Sequence, residues 1–277
     1  MDCAEGRLQT AVVTLEAALQ VRPVPARAGR RSFTEDRALG TIIDLHTHTT
    51  VGSSDSKTGI EDIARIRERV PALHGLALTE HVRRWPDEAM AQLPGDLLVF
   101  NEREFDTFQG HILVLGPPPG THVSSVEQLR ERVQDVGGLM ILAHPFRFYP
   151  SALSLLYPRA WHEPGEWPPE RLAGHPLFGL VDAVEAWNAR ATPEQNELAE
   201  ACARIRGLPV VAGSDSHAPE DVGRYATEFE DDIRTLDQLK AAIRAGRCRP
   251  VELTSTGEYR PQERPGLYAA ATVPAHG

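Results

Sequence analysis

Two histidines one residue apart, His46 and His48, follow the apolar run TIIDL. An aspartate and a histidine with the same spacing, Asp215 and His217, follow PVVAGS. Side chains of extended backbone alternate with a period of two, so each pair points to one side and can grip one ion. Imidazole and carboxylate donors suit Zn, Mn or Fe better than they suit ions that prefer thiolate. His81 follows LALTE, His144 follows LMILA and His111 opens HILVLG, so six of the 11 histidines lie at or beside the ends of apolar runs. Any one of them alone is more often a hydrogen-bonded structural residue, and a single HxH is more often incidental than a metal site. Taken jointly they are hard to explain as packing, because a buried imidazole is costly without partners. The chemistry this points to is metal-assisted hydrolysis.

The elements that must position these residues are short apolar runs separated by helical patterns. Strands are expected at 41–46, 73–81, 97–100, 111–116, 138–144, 182–188 and 208–217. Helices are expected at 59–70, 125–137, 192–207 and 235–246, with Ser125 and Thr192 as N-caps and Gly207 and Gly246 as C-caps. Alternation of this kind implies a parallel α/β sheet, and some seven strands in this length favour a barrel over an open sheet. In such folds the C-terminal strand ends line the active site, so residues distant in sequence converge there. The stretch 147–180, rich in Pro and aromatics, follows a strand end and reads as a lid or specificity loop, or as a packed surface excursion. Residues 1–40 read as a helix at 7–20 and a linker, 41–253 as the hydrolase domain, and 254–277 as a flexible tail.

Composition narrows the partners. Hydrophobic residues make up 41% of the 277, enough for a real core, and the net charge of −10 leaves no global basic field for gripping nucleic acid or an anionic membrane. Nucleic acid is therefore a less favoured partner. No apolar run approaches the ~20 residues that span a bilayer. Cys3, Cys202 and Cys248 are odd in number and far apart, which fits a reducing cytoplasm rather than a disulfide scaffold. The pattern is silent on oligomeric state.

The segments DLHTHT (44–49), TEH (79–81), EFDTFQGHILVLG (104–116), AHP (143–145) and GSDSH (213–217) occur in an order and spacing that resemble the PHP (polymerase and histidinol phosphatase) family from about Thr41 to Phe229. The resemblance implies a distorted (β/α)7 barrel with two or three divalent ions at the strand C-termini. It assigns His46, His48 and Asp215 to a first ion, His111 and His144 to a second, and Glu104 to the bridge between them. It gives His81, His217 and Asp55 to a third. Glu102 is a competitor for the bridge with a poorer spacing to His111, and Glu80 is expected behind the ligands. The implied activity is phosphoesterase hydrolysis of a small phosphomonoester or nucleotide by a hydroxide shared between two metals. Arg147 is the first choice for a phosphate clamp, with Arg190 and Arg224 as further candidates. Asn188 lies beside Arg190, and Glu185 could orient a ligand or be a simple strand-end carboxylate. The alternatives are a nuclease acting on nucleic-acid ends, a non-catalytic metal-binding domain, and an amidohydrolase-like C–N hydrolase. The last usually needs a strand-end lysine, which this chain lacks.

Overall fold

Seven strands form where the apolar runs fall: β1 (Thr41–Thr47), β2 (Gly75–Glu80), β3 (Leu98–Thr107), β4 (Gly110–Leu115), β5 (Leu139–Leu142), β6 (Ala183–Asn188) and β7 (Val210–Gly213). The structure is a computed structural model that describes residues 40–120, 122–151, 154, 156, 167–253 and 259–261. The helix expected at 7–20, the linker before Gly40 and most of the expected tail lie outside the described residues.

The strands pair in sequence order from β1 to β7, and the sheet is nearly closed into a barrel. Closure comes from backbone bonds just beyond β7: Asp215 N donates to the His46 carbonyl (2.8 Å) and His48 N to the Ser216 carbonyl (3.1 Å). This near approach explains Gly213. A Cβ there would lie 2.4 Å from the His46 Cβ and 2.8 Å from a Glu185 oxygen. The distorted α/β barrel is as expected, but the sheet is not wholly parallel. β3 and β4 form an antiparallel hairpin, and β4 also runs antiparallel to β5. Fully buried apolar runs look alike in either direction, so alternation alone could not reveal this.

Three further strands extend the sheet beside β1: β8 (Tyr225–Phe229), β9 (Cys248–Leu253) and β10 (Tyr259–Pro261), each antiparallel to its neighbour. β10 lies within the stretch expected to be a loose tail.

The helices are α1 (Ile60–Ala64), α2 (Ile66–Arg69), α3 (Asp87–Met90), α4 (Val126–Asp135), α5 (Pro169–Leu172), α6 (Pro193–Arg206) and α7 (Leu236–Ala245). The single helix expected at 59–70 is broken at Arg65, which leaves helical backbone (φ −103°, ψ 10°). Ser125 and Thr192 cap α4 and α6 through side-chain oxygens, and Gly207 and Gly246 end α6 and α7 in the left-handed conformation. Leu239, Ala242 and Ile243 of α7 pack with Ile43, Leu113, Ile141 and Val211 from the barrel strands. Lys240 and Arg244 donate to the carbonyls of Gly137 and Gly138, so α7 lies against the end of the barrel where β5 begins. The strand C-termini lie at the opposite end of the barrel. The described part of 147–180 packs inward: Tyr149, Leu156, Leu172, Leu177 and Phe178 join the core beside α4 and α6.

Candidate metal centre

The face at the strand C-termini carries a carboxylate surrounded by imidazoles. Glu104, on β3, is 1% exposed. Its Oε2 lies 3.3 Å from His46 Nε2, 3.2 Å from His48 Nε2 and 3.4 Å from His81 Nδ1. Its Oε1 lies 3.0 Å from His111 Nδ1 and 3.3 Å from His144 Nε2. One oxygen thus faces the HxH pair and the other faces the β4 and β5 histidines. Asp215 closes the first group, with Oδ1 3.6 Å from His46 Nε2 and 3.5 Å from His48 Nε2. The backbone that presents these groups is unusual. His144 and Asp215 have positive φ (27° and 51°), and so does Phe148 (65°), a conformation uncommon for non-glycine residues that clusters at functional sites.

A second ring of residues decides which imidazole nitrogen faces inward. His46 Nδ1 lies 2.9 Å from Glu185 Oε1. A carboxylate only accepts, so Nδ1 carries the proton and Nε2 presents a lone pair to the cluster. His48 Nδ1 lies 3.2 Å from Ser53 Oγ, and Ser53 donates its one hydroxyl proton to Glu80 Oε2 at 2.6 Å. Ser53 must then accept from His48, which again frees Nε2. Glu80 also accepts from Thr49 and from Trp85 Nε1, so it orders the loop behind His48. Glu185 Oε2 accepts from His144 N and from Asn188 Nδ2, so one carboxylate steadies both expected ion positions. His217 Nδ1 is held by the Asp215 carbonyl at 3.0 Å. Asp44 is buried and accepts from the backbone of His46, Ser214 and Gly223, which holds the HxH strand to the segment after β7.

These donors fit divalent cations. Imidazole nitrogens and carboxylate oxygens spaced 3.2–3.6 Å apart match the edges of a coordination polyhedron with bonds of about 2.1 Å, whose tetrahedral edge is about 3.4 Å. They are long for charge-assisted hydrogen bonds, which run about 2.7–2.9 Å. His81 Nδ1 and His144 Nε2 are buried without a hydrogen-bond partner, and both face Glu104. The charge balance agrees. Burial opposes protonation of His46, His48 and His111, yet the facing carboxylates raise all three, His48 to about 9. Burial would raise Glu104 and Asp215, but His46 and its neighbours hold both well below the usual carboxylate range.

Other expected site residues are placed less centrally. His217 Nε2 pairs with Asp55 Oδ2 at 3.0 Å, but Asp55 is 58% exposed and meets no other cluster donor among the described residues. Glu102 makes no hydrogen bond or ion pair with the imidazoles among the described residues. It is buried below Glu104, accepts from Gly116 N, and burial pushes its carboxyl up to about 7. Arg147 reaches the cluster, donating to Asp215 Oδ2 at 3.1 Å. Arg190 and Arg224 are exposed, and neither pairs with a cluster carboxylate among the described residues. Asn188 donates to both Glu185 and Asp215. Sequence reasoning missed Asp106 and Ser53. Asp106 lies two residues beyond Glu104 on β3 and therefore on the same face, a signal that the period of two could have supplied.

Residues 193–248 match the PHP-associated family model. Among solved structures, PsfC from Pseudomonas syringae PB-5123 superposes with a TM-score of 0.55 at 16% identity, covering 79% of this chain and 94% of that one. A two-domain protein containing a predicted PHP-like metal-dependent phosphoesterase, from Bacteroides vulgatus, gives 0.54 at 18% identity over 81% of this chain and 69% of that one. The fold is that of the PHP family. This agrees with the resemblance read from the five motifs. The lesion-specific endonuclease PfuEndoQ from Pyrococcus furiosus is also similar, at a TM-score of 0.46 and 16% identity over 74% of this chain and 56% of that one. At that distance its likeness says nothing of this chain's substrate. No curated protein sequence matches the chain. Among the described residues of this PHP fold, no helix is long and apolar enough to cross a membrane.

Proposed function

We propose that this chain is a metal-dependent phosphoesterase that hydrolyses a small phosphomonoester or nucleotide. The observation that carries this reading is the division of the Glu104 carboxylate between two sets of imidazoles, the arrangement a bridging ligand needs. Divalent ions held by His46, His48 and Asp215 on one side and His111 and His144 on the other would supply Lewis-acid charge and acidify water at neutral pH. The chain's own residues do the rest. Glu185 and Ser53 fix the two HxH rings in the ligating tautomer. Arg147 has one guanidinium nitrogen on Asp215, and its Nε is buried with no hydrogen-bond partner. The planar guanidinium can turn its free donors to phosphate oxygens as charge develops on them. Its stacking on the Phe148 ring, 4.8 Å from the centroid, limits where it can point.

The test is to reconstitute the purified protein with Zn, Mn or Fe, measure the ions bound, and screen phosphomonoesters, nucleotides and oligonucleotides. Hydrolysis of small phosphates, lost on metal removal, is the expected result. Failure to bind any of these ions would sink the reading. Hydrolysis that survives both His46→Ala and Asp215→Ala would sink the site. Activity on oligonucleotides alone would replace it with a nuclease.

A further inference from the structure

β3 carries a second carboxylate on its site face, Asp106, to which neither the motif resemblance nor the proposed function assigns a role. Asp106 Oδ1 lies 3.4 Å from His81 Nδ1 and 3.6 Å from His111 Nε2. His81 Nδ1 is also 3.4 Å from Glu104 Oε2, and the donor atoms of His81, Glu104 and Asp106 all lie within 4.8 Å of one another. Two features separate this group from a simple ion pair. Its spacings match the tetrahedral edge of about 3.4 Å for bonds near 2.1 Å, and they exceed a charge-assisted hydrogen bond. His81 Nδ1, the atom between the two carboxylates, is buried without a hydrogen-bond partner. That atom faces both carboxylates at spacings a shared ion would match.

We propose that Asp106 is a metal ligand, closing with His81 and Glu104 the outermost ion position of the centre. In this arrangement Asp106 takes the carboxylate role that the resemblance gives to Asp55. Asp55 instead makes a 3.0 Å contact with His217 Nε2 and serves to orient it. His81 sits between the two possibilities, because it also groups with His48 and His217. The exposed carboxylate leaves this outer ion open to solvent on one side, so the position binds more weakly than the buried one and is the first to empty.

The inference rests on the metal reading, and equilibrium dialysis against buffered free Zn or Mn, read by elemental analysis, separates the two. Wild-type protein should bind a weakest ion that Asp106→Ala loses, or that needs more than about tenfold more free metal for half-occupancy. Asp106→Asn, which keeps the size and drops the charge, should fall on the same side, and unchanged thermal melts of the metal-free variants would show that the fold is intact. Asp55→Ala should retain the ion. The assignment is overturned if Asp106→Ala and Asp106→Asn bind the wild-type number of ions at wild-type half-occupancy. It is equally overturned if Asp55→Ala loses the ion and the Asp106 variants keep it. A wild-type protein that takes up no divalent ion overturns the metal reading itself, and the Asp106 assignment with it.

Discussion

The two ends of the cluster are built differently. At the inner end His46, His48, Glu104 and Asp215 are all but buried, and three of them are held from behind: Glu185 on His46, Ser53 on His48, Asn188 and Arg147 on Asp215. At the outer end Asp55 and Asp106 are each 58% exposed, and the His81 ring nitrogen that faces the site has no hydrogen-bond partner. The inner end is organised by these contacts, whereas the outer end would have to order a surface carboxylate to bind an ion. On the proposed metal reading, this difference would let one centre hold a resident ion and an exchangeable one on a shared glutamate.

Removing an inner ligand should give the largest effect. His46→Ala or Asp215→Ala should lower phosphatase kcat/KM and inner-ion affinity by more than about 100-fold, since even partners behind the ligands cost about 10–100-fold. The same truncation at His217 should cost less. If dialysis and steady-state kinetics show equal losses at the two ends, the division into resident and exchangeable sites fails.

Acidity separates the two ends by sign. In metal-free protein His48 is raised from 6.5 to about 9, because Asp215 and Glu104 outweigh its burial, whereas His217 is lowered by burial and by His48. A raised histidine stabilises the fold fully below pH 6.5 and loses that contribution as pH climbs through 9. A lowered one does the reverse, costing stability as pH falls below 6.5. The His48 shift corresponds to on the order of 3 kcal/mol. Denaturant titration in chelator should therefore show stability falling from pH 6.5 to 9, a slope that His48→Gln reduces and bound metal abolishes. A flat or rising profile would mean that the inner carboxylates do not hold protons in place of metals.

The orienting ring comes next in size. Glu185→Ala should weaken inner-ion binding by about 10–100-fold and lower kcat with it. Glu185→Gln keeps an oxygen facing His46 Nδ1 and should recover part of both. Equal damage from Ala and Gln would assign Glu185 a charge role rather than an orienting one.

The inner end was also the more legible in the sequence. His46, His48 and Asp215 stand at the ends of buried apolar runs, and the barrel that gathers them follows from the number of those runs. Ser53 was illegible for a physical reason, since a serine in a polar stretch reads first as a turn former, whereas Asp106 was legible only through the period of two from Glu104. The antiparallel hairpin of β3 and β4 was hidden because β3 runs on from LLVF through NEREFDT, whose only apolar residue is Phe105, so the stretch reads as a loop. Strand β9, half-exposed and carrying Arg249 and Glu252, was hidden likewise, and β8 is a short run interrupted by Thr227 and Glu228. Arg190 shows the converse. Its position at the end of β6 made it a candidate, but strand-end placement does not fix where a long side chain points, and here the residue is exposed.

The smallest effect should come from Asp55. Its contact with His217 is between a carboxylate that is 58% exposed and a ring that is 13% exposed, so solvent screens much of it. His217 keeps its other anchor, the Asp215 carbonyl on Nδ1, when Asp55 is removed. Asp55→Ala should then change kcat/KM and outer-ion half-occupancy by less than about tenfold, below the range for a well-buried orienting partner. The effect should shrink further in high salt, while losses caused by Glu185→Ala should not, because that contact is shielded from solvent. A salt-insensitive loss of 100-fold at Asp55 would show that the outer end is as preorganised as the inner, and would return Asp55 to the ligand role implied by the motifs.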